Sequence, residues 1–146
     1  MKRTEISRRL RPYRRALVLA AEQVLADADR QGRDARAPSK TQFSRLINLC
    51  GEATCSEELE NYLRYQAGRA GRDSKDAWRM KFVDLVLQGI RRVLDESLGL
   101  DGVDAEQRDL CRVEAWRLYA TYLARAFTYQ EAVRRPPRPR GAEQRH

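Results

Sequence analysis

Histidine is almost missing from these 146 residues: the single one, His146, is the last. No internal imidazole can therefore act as a general base, a nucleophile's partner or a metal ligand, which removes most hydrolase and metalloenzyme schemes. Cysteine is scarce as well. Cys50, Cys55 and Cys111 are odd in number and lack the paired short intervals of a zinc site, so reduced, buried thiols are expected. No apolar run approaches the roughly 18 residues needed to span a bilayer. The N-terminal stretch has a basic head before an apolar patch, but Glu22 and Gln23 interrupt that patch and no convincing cleavage site follows, so a cytoplasmic protein is expected. Acidic residues are plentiful, yet no close Asp/Glu pair stands out from ordinary helix-surface charge. The chain is accordingly read as non-enzymatic, with no cofactor, metal, membrane or small-molecule substrate.

Lysine is rare too: arginine outnumbers it 25 to 4. Planar guanidinium suits phosphate and bases, but a GC-rich genome favours Arg and Ala everywhere, so the clustering of the arginines says more than their abundance. The formal charge is +8. Residues 1–15 hold seven cations against one acid and residues 134–146 hold five against one, which leaves the body between them slightly acidic. Within that body residues 61–92 carry +5 and residues 93–133 carry −4. Such polarity lets a basic side meet a polyanion while an acidic side meets a protein neighbour.

Apolar residues recur at three and four positions with no alternating run long enough for a strand, which predicts an all-α, single-domain bundle of about five helices. Residues 1–12 read as a basic arm and 134–146, rich in Arg and Pro, as a tail that cannot continue a helix, both expected to be disordered. Between them the bundle should run over 13–133. Its first helix spans Tyr13 to Arg30, with Pro12 at the first turn and an inner face of Leu17, Ala20, Ala21, Val24, Leu25 and Ala28. Ser39 with Gln42 matches a capping box before Phe43, Leu46, Ile47 and Cys50, and Gly51 ends that helix. Thr54 with Glu57 repeats the pattern before Leu59, Tyr62, Leu63, Gln66 and Ala67. A longer helix follows from Lys75 to Leu98, about 35 Å, with Trp78, Phe82, Val86 and Ile90 inward. Asp104 with Gln107 caps the last helix, whose two apolar stripes suggest that it is surrounded or shared with a partner.

The stretch Asn61 to Arg79, NYLRYQAGRAGRDSKDAWR, carries the clearest functional signal. Arg64, Arg69, Arg72, Lys75 and Arg79, joined by Lys81, face only Asp73 and Asp76, and Tyr62, Tyr65 and Trp78 are interleaved with them. Guanidinium groups beside rings suit phosphates and exposed bases. Tyr65 lies off the inner face and is the stacking candidate, whereas Trp78 is in register with Phe82 and belongs to the core. Gly68 costs about 1 kcal/mol against alanine in a helix, which implies close packing or close ligand approach, with packing preferred. Lys40 and Arg45 can extend the basic surface. The bland alternative is a solvated basic face.

Three patches resemble the small α-helical subunit of type III CRISPR-Cas effector complexes. Ser39 to Asn48, SKTQFSRLIN, is similar to that family's threonine and glutamine helix start with a basic and aliphatic pattern. Leu59 to Arg69, LENYLRYQAGR, resembles its leucine and tyrosine helix ending in small residues and an arginine, and Val113 to Tyr122, VEAWRLYATY, its C-terminal Glu-Ala helix. The patches together span residues 39–129, and the chain departs from the pattern in its arginine-rich ends and over Asp73 to Trp78. The resemblance implies a non-catalytic subunit that holds the crRNA and target RNA backbone without reading sequence, packed against other effector subunits and copies of itself. Its RNA-facing residues by that likeness are Lys40, Arg45, Arg64, Arg69, Arg72 and Arg79. Two other classes fit the same residues. One is a helical DNA-binding regulator using Asn61, Arg64, Tyr65 and Gln66 on a recognition-type helix. The other is an adaptor whose positive patch meets an acidic protein.

Overall fold

The computed structural model describes residues 2–70, 76–97, 100 and 102–134. Five helices of eleven residues or more build the bundle, and no strand occurs among the described residues. They are α2 (Arg14–Gln31), α3 (Lys40–Cys50), α4 (Ser56–Arg69), α5 (Met80–Ser97) and α6 (Ala105–Arg134). A shorter α1, Arg3–Leu10, precedes them and joins α2 through a single 3₁₀ turn at Arg11–Tyr13, with Pro12 as its second residue.

That short helix lies within the stretch expected to be an arm. Its periodicity is only two residues deep, Ile6 and Leu10, too little to show in sequence. Leu10 is nevertheless fully buried in the main core, and Ile6 packs on a small second cluster of Leu100, Val103 and Cys111 at the start of α6. The tail after Arg134 lies outside the described residues.

α6 is the centre of the assembly, packing chiefly on α2 and α3, while α5 lies between α2 and α4. Residue contacts set the directions. Gln130 donates to the Leu25 carbonyl and Arg134 pairs with Asp29, so α2 and α6 run parallel. Phe43 meets Phe127 with centroids 5.3 Å apart, and Cys50 at the far end of α3 feels the charges of Arg117 and Glu114, so α3 runs opposite to α6. Glu60 pairs with Arg91, while Gln66 and Arg69 share a cleft with Trp78, which makes α4 antiparallel to α5.

The inner faces follow the expected spacing. Leu17, Ala21, Val24, Leu25 and Ala28 are buried on α2, Phe43, Leu46 and Cys50 on α3, and Leu59, Leu63 and Ala67 on α4. Trp78 is 1% exposed and meets Phe43 edge-on, its ring centroid 5.5 Å away. The capping signals fare unevenly. Asp104 accepts a 2.8 Å bond from the Gln107 amide as expected. Ser39 stands at the N-terminus of α3, but its side chain makes no cap bond there. At α4 the first helical residue is Ser56, two beyond Thr54, so Glu58 rather than Glu57 reaches back to the Thr54 amide and hydroxyl. Those bonds stabilise the charged carboxylate and hold the Glu58 pKa below its ordinary range. α5 begins at Met80, five residues later than expected, which shortens it to about 27 Å.

Candidate nucleic-acid interface

α4 buries Ser56, Leu59, Leu63 and Ala67, so its opposite face looks outward. Tyr65 stands near the middle of that face, 59% exposed. Each helical residue turns the side chain by about 100°, which places Arg64 on one flank of the ring and Arg69 on the other, about 140° apart. The Arg69 guanidinium lies 5.7 Å from the Tyr65 centroid, a cation–π distance. Arg64 and Arg69 are exposed, and among the described residues neither has a carboxylate partner. Gly68 lies between them on the open side. A Cβ built there meets nothing within 4 Å, so helix packing does not account for this glycine.

A small cleft of about 180 Å³ opens beside Arg69, walled by Gln42 of α3, Gln66 of α4, and Asp76 and Trp78 ahead of α5. Arg45 is three residues beyond Gln42 and exposed, about 60° from it on α3, and so belongs to the same side of the molecule. Lys40 is exposed but about 160° from Gln42, on the other side of α3.

The remaining cations of the sequence motif do not join this surface as a block. Lys81 pairs with Asp34 at 3.7 Å, drawn towards the 3₁₀ turn Arg33–Ala35 that follows α2, away from α4. Both side chains are more than half exposed, so the pair contributes at most about 1 kcal/mol, but it places the Lys81 charge elsewhere. Arg79 is half-buried just before α5. Arg72, Lys75 and the loop from Gly71 to Ser74 lie outside the described residues. Asn61 is exposed on α4 and Tyr62 half-buried.

A second basic region is concentrated at the opposite end of the bundle. Lys2, Arg3, Arg8, Arg9 and Arg11 are exposed on and around α1, with Arg14 and Arg15 at the start of α2. Arg14 donates to Ser7 at 3.1 Å; the others have no carboxylate partner among the described residues. Charge counting detects these residues, but only the helix gives them fixed positions.

No disulfide joins the three thiols: Cys50 and Cys111 are buried and Cys55 half-buried. Burial pushes the Cys50 pKa up to about 12, partly offset by Arg117, and raises that of Cys111. Among the described residues no three His, Cys, Asp or Glu side chains converge, and no helix is long and apolar enough to cross a membrane.

Comparison of the chain with models of protein families, with curated proteins and with solved structures found no match. The class defined by the coordinates is thus an all-α helical bundle with a basic, ring-centred face on α4.

Proposed function

We propose that this protein is a non-catalytic binder of the sugar-phosphate backbone of single-stranded RNA, acting in the cytoplasm inside a larger ribonucleoprotein. The observation that carries the reading is Tyr65 at the centre of the outer face of α4, with carboxylate-free Arg64 and Arg69 on either flank. A strand crossing the helix there can stack a base on the ring while its phosphates meet the two guanidinium groups. Gly68 leaves room for the chain to approach the helix backbone. Arg45 extends the track across α3. The likeness of the three sequence patches to the small subunit of type III CRISPR-Cas complexes favours RNA as the polymer and a crRNA-guided particle as the setting. Phosphate contacts of this kind position a strand without reading its sequence.

The test is titration of fluorescently labelled single-stranded RNAs of unrelated sequence across a salt series. Arg64→Ala with Arg69→Ala should weaken all of them alike and flatten the slope of log K against log salt by about 1.4, at roughly 0.7 per lost phosphate contact on a single strand. The melting temperature should stay near the wild-type value, because both side chains are exposed. Unchanged affinity in a folded double variant would sink the reading, and preference for one duplex sequence would replace it with a DNA-binding regulator.

A further inference from the structure

The parallel arrangement of α2 and α6 creates a surface separate from the basic face. Two contacts fix their register, Gln130 to the Leu25 carbonyl at 3.3 Å and Arg134 to Asp29, each joining residues 105 apart in sequence. Between the helices lies an open groove of about 730 Å³, floored by Val18, Leu25, Tyr122, Ala126, Tyr129 and Val133. Here the second apolar stripe of α6 reaches the surface: Tyr129 is 73% and Val133 64% exposed. The rims carry opposite charge, with Glu22 and Asp29 on the α2 side and Arg125 and Arg134 on the α6 side. Arg134 is already engaged by Asp29 and Glu131, but Glu22 and Arg125 have no ionic partner among the described residues.

We infer that this groove is the contact surface of a homodimer whose two-fold axis runs along the helices. Such an axis lays α2 of one copy against α6 of the other at equal height. The constant offset of 105 sets Glu22 level with Phe127, two residues or about 3 Å along the axis from Arg125. An acidic rim then meets a basic rim twice, once on each side of an apolar floor, which is the self-complementarity that a closed two-fold contact requires. An axis across the helices instead sets α2 on α2 and α6 on α6, acid facing acid and arginine facing arginine. Charge complementarity therefore selects a second copy of this chain, in the parallel arrangement. This inference does not depend on the nucleic-acid reading.

Sedimentation velocity of the full chain over a concentration series tests it, with circular dichroism to establish that each variant is folded. Wild type should dimerise reversibly. Glu22→Arg and Arg125→Glu should each raise the dimer dissociation constant by at least about tenfold, since each sets like charges together on both sides of the interface. An equimolar mixture of the two variants should regain association, because every arginine then faces a glutamate across the mixed pair. Tyr129→Ala should weaken association without unfolding the chain. The inference is overturned if wild type is monomeric at its highest soluble concentration, if either charge reversal dimerises as wild type does, or if the mixture fails to recover. A monomer that dimerises only after removal of residues 135–146 also overturns it, and assigns the groove to the chain's own tail.

Discussion

The phenol oxygen of Tyr119 lies 2.6 Å from the position a Cβ on Gly89 would occupy, and the same hydroxyl donates a 2.8 Å hydrogen bond to the Val86 carbonyl one turn earlier on α5. Val24 of α2 closes the gap from the other side, its methyl 3.0 Å from that Cβ position. Gly89 is therefore the point at which α2, α5 and α6 converge, and the missing side chain gives the tyrosine hydroxyl its place.

Gly89→Ala should destabilise the protein by about 1–3 kcal/mol, the usual cost of overpacking, despite the better helix propensity of alanine. Tyr119→Phe alone should cost about 1 kcal/mol through its lost hydrogen bond. In the double variant the closest clashing atom is gone, so the cost of Gly89→Ala should shrink. Urea denaturation of the four proteins in a double-mutant cycle checks this, and strict additivity would show that the hydroxyl is not what excludes the Cβ.

α1 should be an integral part of the bundle. Leu10 is fully buried, so Leu10→Ala is expected to cost about 2–4 kcal/mol, whereas Arg9→Ala on the exposed face should stay within about 0.5 kcal/mol. Thermal melts distinguish the two. Equal effects would mean that the first ten residues do not pack as described.

Stability should fall at alkaline pH. An unfolded thiol titrates near 9.0, while burial holds folded Cys50 up to about 12. The folded state binds this proton more tightly, so its contribution is fully present below about pH 9 and is lost as pH rises through that window. Tyr119, also raised by burial, acts in the same direction from its ordinary value of 10.0. Denaturation midpoints at pH 8 and pH 10.5 should therefore differ, and Cys50→Ala should reduce the difference. At pH 8, iodoacetamide should label the half-buried Cys55 well ahead of Cys50.

Tyr65→Ala should lower affinity for single-stranded RNA by about 1–3 kcal/mol, the range of one base–aromatic stack, while Tyr65→Phe retains most of it. Binding that tracks the hydroxyl rather than the ring would point to a hydrogen bond instead of stacking.

Much of the architecture was legible in the spacing of apolar residues, because a helix repeats every 3.6 residues and one long face must be buried. Leu17 to Ala28, Phe43 to Cys50 and Phe82 to Val93 lie where that spacing puts them, whereas Trp78 is buried from the irregular segment ahead of α5. Boundaries were less legible: α4 starts two residues beyond Thr54, and the choice between Glu57 and Glu58 as its partner depends on that local offset. α1 escaped notice because two apolar residues make too weak a pattern, although Leu10 finds a complete pocket among helices distant in sequence. For the candidate site, the run of cations between Arg64 and Lys81 was plain to read, but a run in sequence spans several helix faces.

Composition and periodicity by themselves determined that the chain is all-α, that its core is aliphatic and aromatic, and that positive charge gathers both in residues 1–15 and in the stretch from α4 into α5. These are local properties, set by the chemistry of each segment and the pitch of a helix. Only the tertiary structure decided which charges stand together. Packing α4 against α5 keeps Arg64, Tyr65 and Arg69 on the outer face, while the approach of the α2–α3 connection to the start of α5 draws Lys81 to Asp34. The direction of α2 relative to α6, likewise, follows from long-range contacts that no stretch of sequence encodes alone, and it is this direction that sets an acidic rim opposite a basic one.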